Sequence, residues 1–178
     1  MEPFWPGAVG AGGQGVLFIS WLVASVGLMA LLVSDLRYML LPSRILYPTF
    51  VVAAAGRLGY ILFYGHNKPH ELLLLTGSLV VASGIFLALF YVSSGRWIGF
   101  GDVRLGLITG TILATPAKSF LMIFLASLLG TLVALPAVAA HRSKMTSRIP
   151  YGPFLITATF ITLLFGQSFI TWYQNHFL

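Results

Sequence analysis

Five stretches of this chain run for about 18 to 22 residues with almost no ionisable side chain, the length a helix needs to cross a bilayer core of about 30 Å. They cover residues 16–33, 45–64, 72–92, 119–140 and 154–172, and Arg57 is the one basic or acidic residue among them. Pro136, in the fourth run, is a kink that a membrane helix can absorb. A weaker sixth candidate, residues 97–115, contains Asp102 and Arg104. Its purely apolar part, residues 105–115, is only about 16 Å long as a helix. The expectation is an all-α polytopic membrane protein of about six transmembrane helices, the fourth short or broken. Composition agrees, with 58% apolar and 8% charged residues against about 25% charged in a soluble domain. It excludes a soluble or a disordered chain, and the absence of cysteine excludes disulfides and thiolate metal sites. At 178 residues the chain reads as a single domain, residues 1–178, with a flexible Gly-rich N-terminus at residues 1–15.

The formal charge of +6 would raise nucleic acid as a partner in a soluble protein. Membrane topology accounts for it more simply, and no nucleic acid is expected. With six spans, the loops joining spans 1–2, 3–4 and 5–6 share one side and hold Arg37, Arg44, Arg96, Arg104, Arg142, Lys144 and Arg148. The opposite side has Lys68 and Lys118, with Arg57 able to snorkel toward it. That asymmetry predicts cytoplasmic placement of those three loops, with both termini outside. The first run lacks a basic n-region before it and a small-residue cleavage site after it, so it reads as a retained helix rather than a signal peptide.

The acids are Glu2, Asp35, Glu71 and Asp102. Glu2 and Glu71 fall in solvated outer segments. Asp35 and Asp102 both fall at the inner ends of apolar runs, where a carboxylate costs about 2.5–3.5 kcal/mol if it enters hydrocarbon. The plain alternative makes them interfacial: Asp102 would cap a helix starting at Val103, and Asp35 would pair with Arg37 or Arg44. The run Gly99-Phe100-Gly101-Asp102 argues for more, because two glycines just before the acid permit unusual backbone conformations and close approach. Two such carboxylates brought together suit hydrolysis, one ionised to activate water and one protonated to polarise the scissile carbonyl. Like charges at close range would share one proton.

Three segments together resemble the type IV prepilin peptidases, membrane aspartyl proteases of the GxGD kind. They are Asp35-Leu36-Arg37-Tyr38-Met39-Leu40-Leu41-Pro42, the run Gly95 to Leu105 around Gly99-Phe100-Gly101-Asp102, and Ile149-Pro150-Tyr151-Gly152-Pro153-Phe154-Leu155. The resemblance implies that Asp35 and Asp102 are the catalytic pair, supported by Gly99 and Gly101. It also implies that the substrates are prepilins or pseudopilins, whose short basic leader is removed at the cytoplasmic face of the bacterial inner membrane. The larger members carry a cysteine-containing N-terminal insertion and methylate the new N-terminus. This chain reads as a short form without that segment, and N-methylation is not expected. Arg104 stands where the family often has lysine. Arg37, Arg96 and Arg104 are candidate contacts for an acidic residue of the substrate, and the apolar segment of the prepilin would pack against the helices.

Other signals are weaker. Gly10-Ala11-Gly12-Gly13-Gln14-Gly15 has the spacing of a dinucleotide fingerprint, but no strand precedes it and it opens a membrane span, so no cofactor is expected. His66 and His70 flank Pro69 and lack a third ligand, so no metal site is expected. Gly106 and Gly110 form a G-x-x-x-G expected to pack span 4 within the chain, with a second copy as the other candidate partner. Trp97, Tyr151, Trp172 and Tyr173 read as interfacial belts. A small proton-coupled transporter or channel subunit would also carry intramembrane acids, but it predicts an inverted repeat and a midplane site. A presenilin-like protease shares GxGD, yet Ser34 precedes Asp35 where a tyrosine is expected.

Overall fold

The computed structural model describes residues 11–139 and 150–177. Among them all regular structure is helical: α1 (Ala11–Tyr38), α2 (Ser43–Tyr64), α3 (Lys68–Leu79), a π-helical turn (Val80–Gly84), α4 (Ile85–Ser93), α5 (Phe100–Leu113), α6 (Pro116–Ala139) and α7 (Gly152–Phe177). Five helical stretches are long and apolar enough to cross a membrane: Gly15–Tyr38, Ser43–Tyr64, Lys68–Ser93, Pro116–Leu135 and Gly152–His176. The third joins α3, the π-turn and α4. The protein is therefore multi-pass. α5, at 14 residues, is about 21 Å long, shorter than a full span, yet it carries the chain from the end where α4 finishes to the end where α6 begins, as the short sixth pass.

Local chemistry sets the helix ends. Asn67 caps α3, its side chain accepting from the His70 N–H at 3.4 Å, with Pro69 in the first turn where its missing N–H does no harm. Past α1 the chain turns through Met39 in the left-handed region (φ 52°), and the Pro42 carbonyl then accepts from Ile45 and Leu46 to open α2. Ala114, also left-handed (φ 55°), and Thr115 form the whole connection from α5 to α6.

Small residues set the packing distances. A methyl on Gly27 would strike Thr49 and one on Gly56 would strike Ser20, so α1 and α2 run close and antiparallel. Gly106 faces the backbone of Ala82, and Gly110 faces the Ala82 methyl and the Ser78 carbonyl. The G-x-x-x-G thus seats α5 inside its own bundle, against the π-turn. Ser83 in that turn donates to the Val103 carbonyl at 3.1 Å; Ser78 donates to the Gly110 carbonyl at 2.7 Å and lies 2.7 Å from Ser119. Leu28, Leu31, Leu46, Phe86, Leu105, Ile108 and Leu155 form the buried core around α5. Apolar side chains such as Val26, Val51, Phe63 and Phe165 point outward, as a lipid-facing surface requires.

Two expectations are adjusted. Residues 11–15 are helical rather than part of a flexible tail, because α1 begins at Ala11; residues 1–10 lie outside the described residues. The run 97–115 forms a helix only over Phe100–Leu113. The end of α1 and the starts of α2, α5 and α7 gather at one end of the bundle, with Arg37, Arg44, Arg96 and Arg104. Lys68 and Lys118 begin helices at the other end. Arg142, Lys144 and Arg148 lie outside the described residues.

Candidate active site

Asp35 sits one turn before the end of α1 and is buried, 6% exposed. Its carboxylate accepts a hydrogen bond from the backbone N–H of Gly152, the first residue of α7. The two groups pack so closely that a methyl on Gly152 would collide with Asp35 Oδ2. Arg37 turns away, its guanidinium 5.6 Å from the centre of the Tyr38 ring. Asp35 is thus held by a backbone amide and not explained as an interfacial ion pair.

Asp102 lies in the first turn of α5. That helix begins at Phe100 rather than at Val103, so Asp102 caps it from within. Its N–H donates to the Gly99 carbonyl at 3.1 Å, and its carboxylate accepts from the Gly99 N–H. This is the reciprocal half of a capping box. Capping and chemistry are compatible here, since the carboxylate retains further acceptor positions. Asp35 and Asp102, 67 residues apart in sequence (102 minus 35), are brought close enough for their charges to interact.

The motif glycines act through space more than through conformation. Gly99 has φ −76° and ψ 150°, an extended geometry open to any residue. Gly101 is where close approach matters: a Cβ there would lie 3.0 Å from Leu41 Cδ1. That contact docks the α1–α2 turn on the start of α5 and sets the two aspartate-bearing segments side by side.

The arginines separate into two kinds. Arg104 is engaged within the chain, its guanidinium donating to Ser43 Oγ at 3.3 Å and lying 4.8 Å from the Phe100 ring centre and 5.7 Å from that of Tyr47. Arg37 and Arg96 are exposed at the same end, although Arg96 Nε also reaches the Ser93 carbonyl at 3.2 Å. Tyr151 is not simply an interfacial aromatic. Its ring stands edge-on to Phe86, 5.7 Å between centres, and its hydroxyl is 3.2 Å from Ser127 Oγ on α6. Burial pushes the phenol up from its usual range, the Ser127 hydrogen bond offsets part of this, and the Asp102 charge adds to it. Among the described residues no three His, Cys, Asp or Glu side chains converge as metal ligands.

The role of Gly152 was missed in the sequence, where it appears only inside the segment 149–155. A backbone amide leaves no trace in composition or spacing; the Gly-Pro pair opening an apolar run is its one visible sign. The two acids at one end of the bundle, rather than at mid-depth, give the transporter reading no support.

The sequence is similar to those of known proteins. The model of the type IV leader peptidase family matches residues 22–135. The chain is 29% identical over 173 residues to a prepilin leader peptidase/N-methyltransferase of Aeromonas hydrophila, covering 96% of this chain and 56% of that protein. It is 29% identical over 161 residues to the Bacillus subtilis (strain 168) protein of the same name, covering 89% and 58%. The protein so named in Legionella pneumophila is 26% identical over 99 residues, 55% of this chain and 34% of that protein. The chain thus spans about half the length of the first two relatives. No solved structure matches it. The family match takes in both aspartates and the turns that join them, and by it the chain belongs to the type IV leader peptidase family.

Proposed function

We propose that the protein is an aspartyl endopeptidase that removes the short basic leader from type IV prepilins or pseudopilins at the cytoplasmic face of the bacterial inner membrane. The observation that carries this reading is the convergence of Asp35 and Asp102 on one end of the bundle in a chain of the leader peptidase family. One carboxylate, ionised, takes a proton from a water molecule as that water attacks the scissile carbonyl carbon. The other, protonated, hydrogen-bonds the carbonyl oxygen and then returns a proton to the leaving amine. The water oxygen ends in the new leader carboxylate. The proposal is confined to leader cleavage and does not extend to N-methyl transfer.

The excess of arginine at the site end supports a cytoplasmic active site, with both termini outside. A basic leader gains nothing from basic surroundings, so the apolar segment of the prepilin, lying along the outward-facing helices, supplies the attraction. Arg37 and Arg96 are the arginines free enough to meet an acidic residue downstream of the cut, whereas Arg104 is occupied by Ser43 and two aromatic rings.

The test is co-expression with a prepilin from the same genome, comparing wild type, Asp35→Asn and Asp102→Asn by the gel shift of the substrate. Both variants are expected to reach the membrane at wild-type levels and leave the leader uncut. Cleavage surviving in either one overturns the two-carboxylate mechanism.

A further inference from the structure

We propose that Gly152 is a positioning residue for Asp35: the turn at residues 150–153 leaves one first-turn amide of α7 without a helical partner and aims it at that carboxylate. The inference rests on the reading of Asp35 as catalytic and adds the element that orients it.

The first turn of any helix has N–H groups with no partner inside the helix. In α7 they are disposed of one by one. Pro153 has none to offer. Phe154 and Leu155 both donate to the Tyr151 carbonyl at 3.1 Å. The Gly152 N–H is left over, and it donates to Asp35. The turn that aims it is fixed on two sides, by the Tyr151 ring against Phe86 and by the Tyr151 hydroxyl at Ser127. Further along, a Cβ added at Gly130 on α6 would rest 3.5 Å from the Phe154 ring, an ordinary contact.

Glycine is required for a steric reason. The position is in the first turn of a helix and needs no positive φ. What excludes a side chain is the Asp35 carboxylate itself, which occupies the space a Cβ would need. A methyl at position 152 must push the carboxylate or the amide aside, breaking the bond that orients one acid toward the other. Asp35 lies one turn before the end of α1, and the Gly152 amide is the hydrogen bond that holds its carboxylate. Without the amide it keeps its place in the chain but loses its direction, and misplacement of a reacting group by about 1 Å is worth about 100-fold in rate.

The experiment has two arms. In the first, purified protein in detergent is assayed against prepilin: Gly152→Ala is expected to lower kcat about 100-fold with KM within about two-fold. Gly130→Ala, which adds the same methyl against α7 without touching Asp35, leaves both unchanged and controls for packing. A Gly152→Ala enzyme with wild-type kcat overturns the inference, as does a loss carried by KM alone. The second arm needs neither activity nor that variant. Amide exchange at Gly152 is read by NMR in wild type and in Asp35→Ala, which removes the acceptor. The expected result is at least a ten-fold faster exchange at Gly152, with Phe154 and Leu155 still protected by Tyr151. Unchanged exchange at Gly152, or loss of protection at all three, overturns it. Should wild type fail to cut any prepilin, the proposed function falls while the exchange arm still decides the role of Gly152.

Discussion

Two carboxylates are conspicuous in a chain with four acids because hydrocarbon penalises each of them. That scarcity singles out Asp35 and Asp102 as candidates in the sequence alone. The glycines were only half readable. Their presence before Asp102 pointed correctly to close approach, but the conformational freedom they offer is unused at Gly99. The consequences can be ranked. Gly99→Ala meets nothing nearer than Asp102 Oδ2 at 3.6 Å, and its thermal midpoint in detergent is expected to match wild type. Gly106→Ala is different, since its methyl would be driven into the backbone of Ala82. Rigid backbone cannot step aside as the Leu41 side chain can, and a loss of about 1–3 kcal/mol is expected, read as a lowered midpoint.

Among elements, hydropathy found every long helix but not the π-turn at Val80–Gly84. The extra residue in a π-turn changes no hydropathy average, and its benefit is tertiary: it lets Ser83 reach Val103 and lets Gly106 and Gly110 lie against Ala82. Deleting Val81 should restore an α-helical turn, keeping α3 and α4 nearly in phase but removing the bulge that presents Ala82 and Ser83 to α5. The expected outcome is a protein that still inserts but no longer cleaves, checked by membrane level and gel shift together. The far end of α5 offers a gentler test. Ser78 is fully buried and bonded to both Gly110 and Ser119. Ser78→Ala is expected to cost about 0.5–1.5 kcal/mol by leaving Ser119 without that partner. The double variant Ser78→Ala/Ser119→Ala should cost less than the sum of the two single changes, as thermal unfolding would show.

For the whole molecule, the all-helical membrane architecture was legible from run lengths, while the shortness of α5 was legible only as a charge-interrupted run. The chain has no cysteine, so single-cysteine variants report orientation without background. His66→Cys, in the α2–α3 connection, should react with a membrane-impermeant maleimide in intact cells. Arg44→Cys, at the site end, should react only after permeabilisation. The opposite pattern would place the site outside and remove the proposed access to cytoplasmic leaders.

The two-residue link between α5 and α6 has a mechanical meaning. Ala114 and Thr115 leave no slack, so α5 cannot slide along its axis without dragging α6, whereas residues 94–99 give its other end a longer leash. Such a rod is hinged at the far membrane face. Asp102 rides about 17 Å from the hinge, so a swing of about 5° carries it through about 1.5 Å. If Asp35 and Asp102 act together as proposed, the short link to α6 limits such a tilt and with it the drift of one acid from the other.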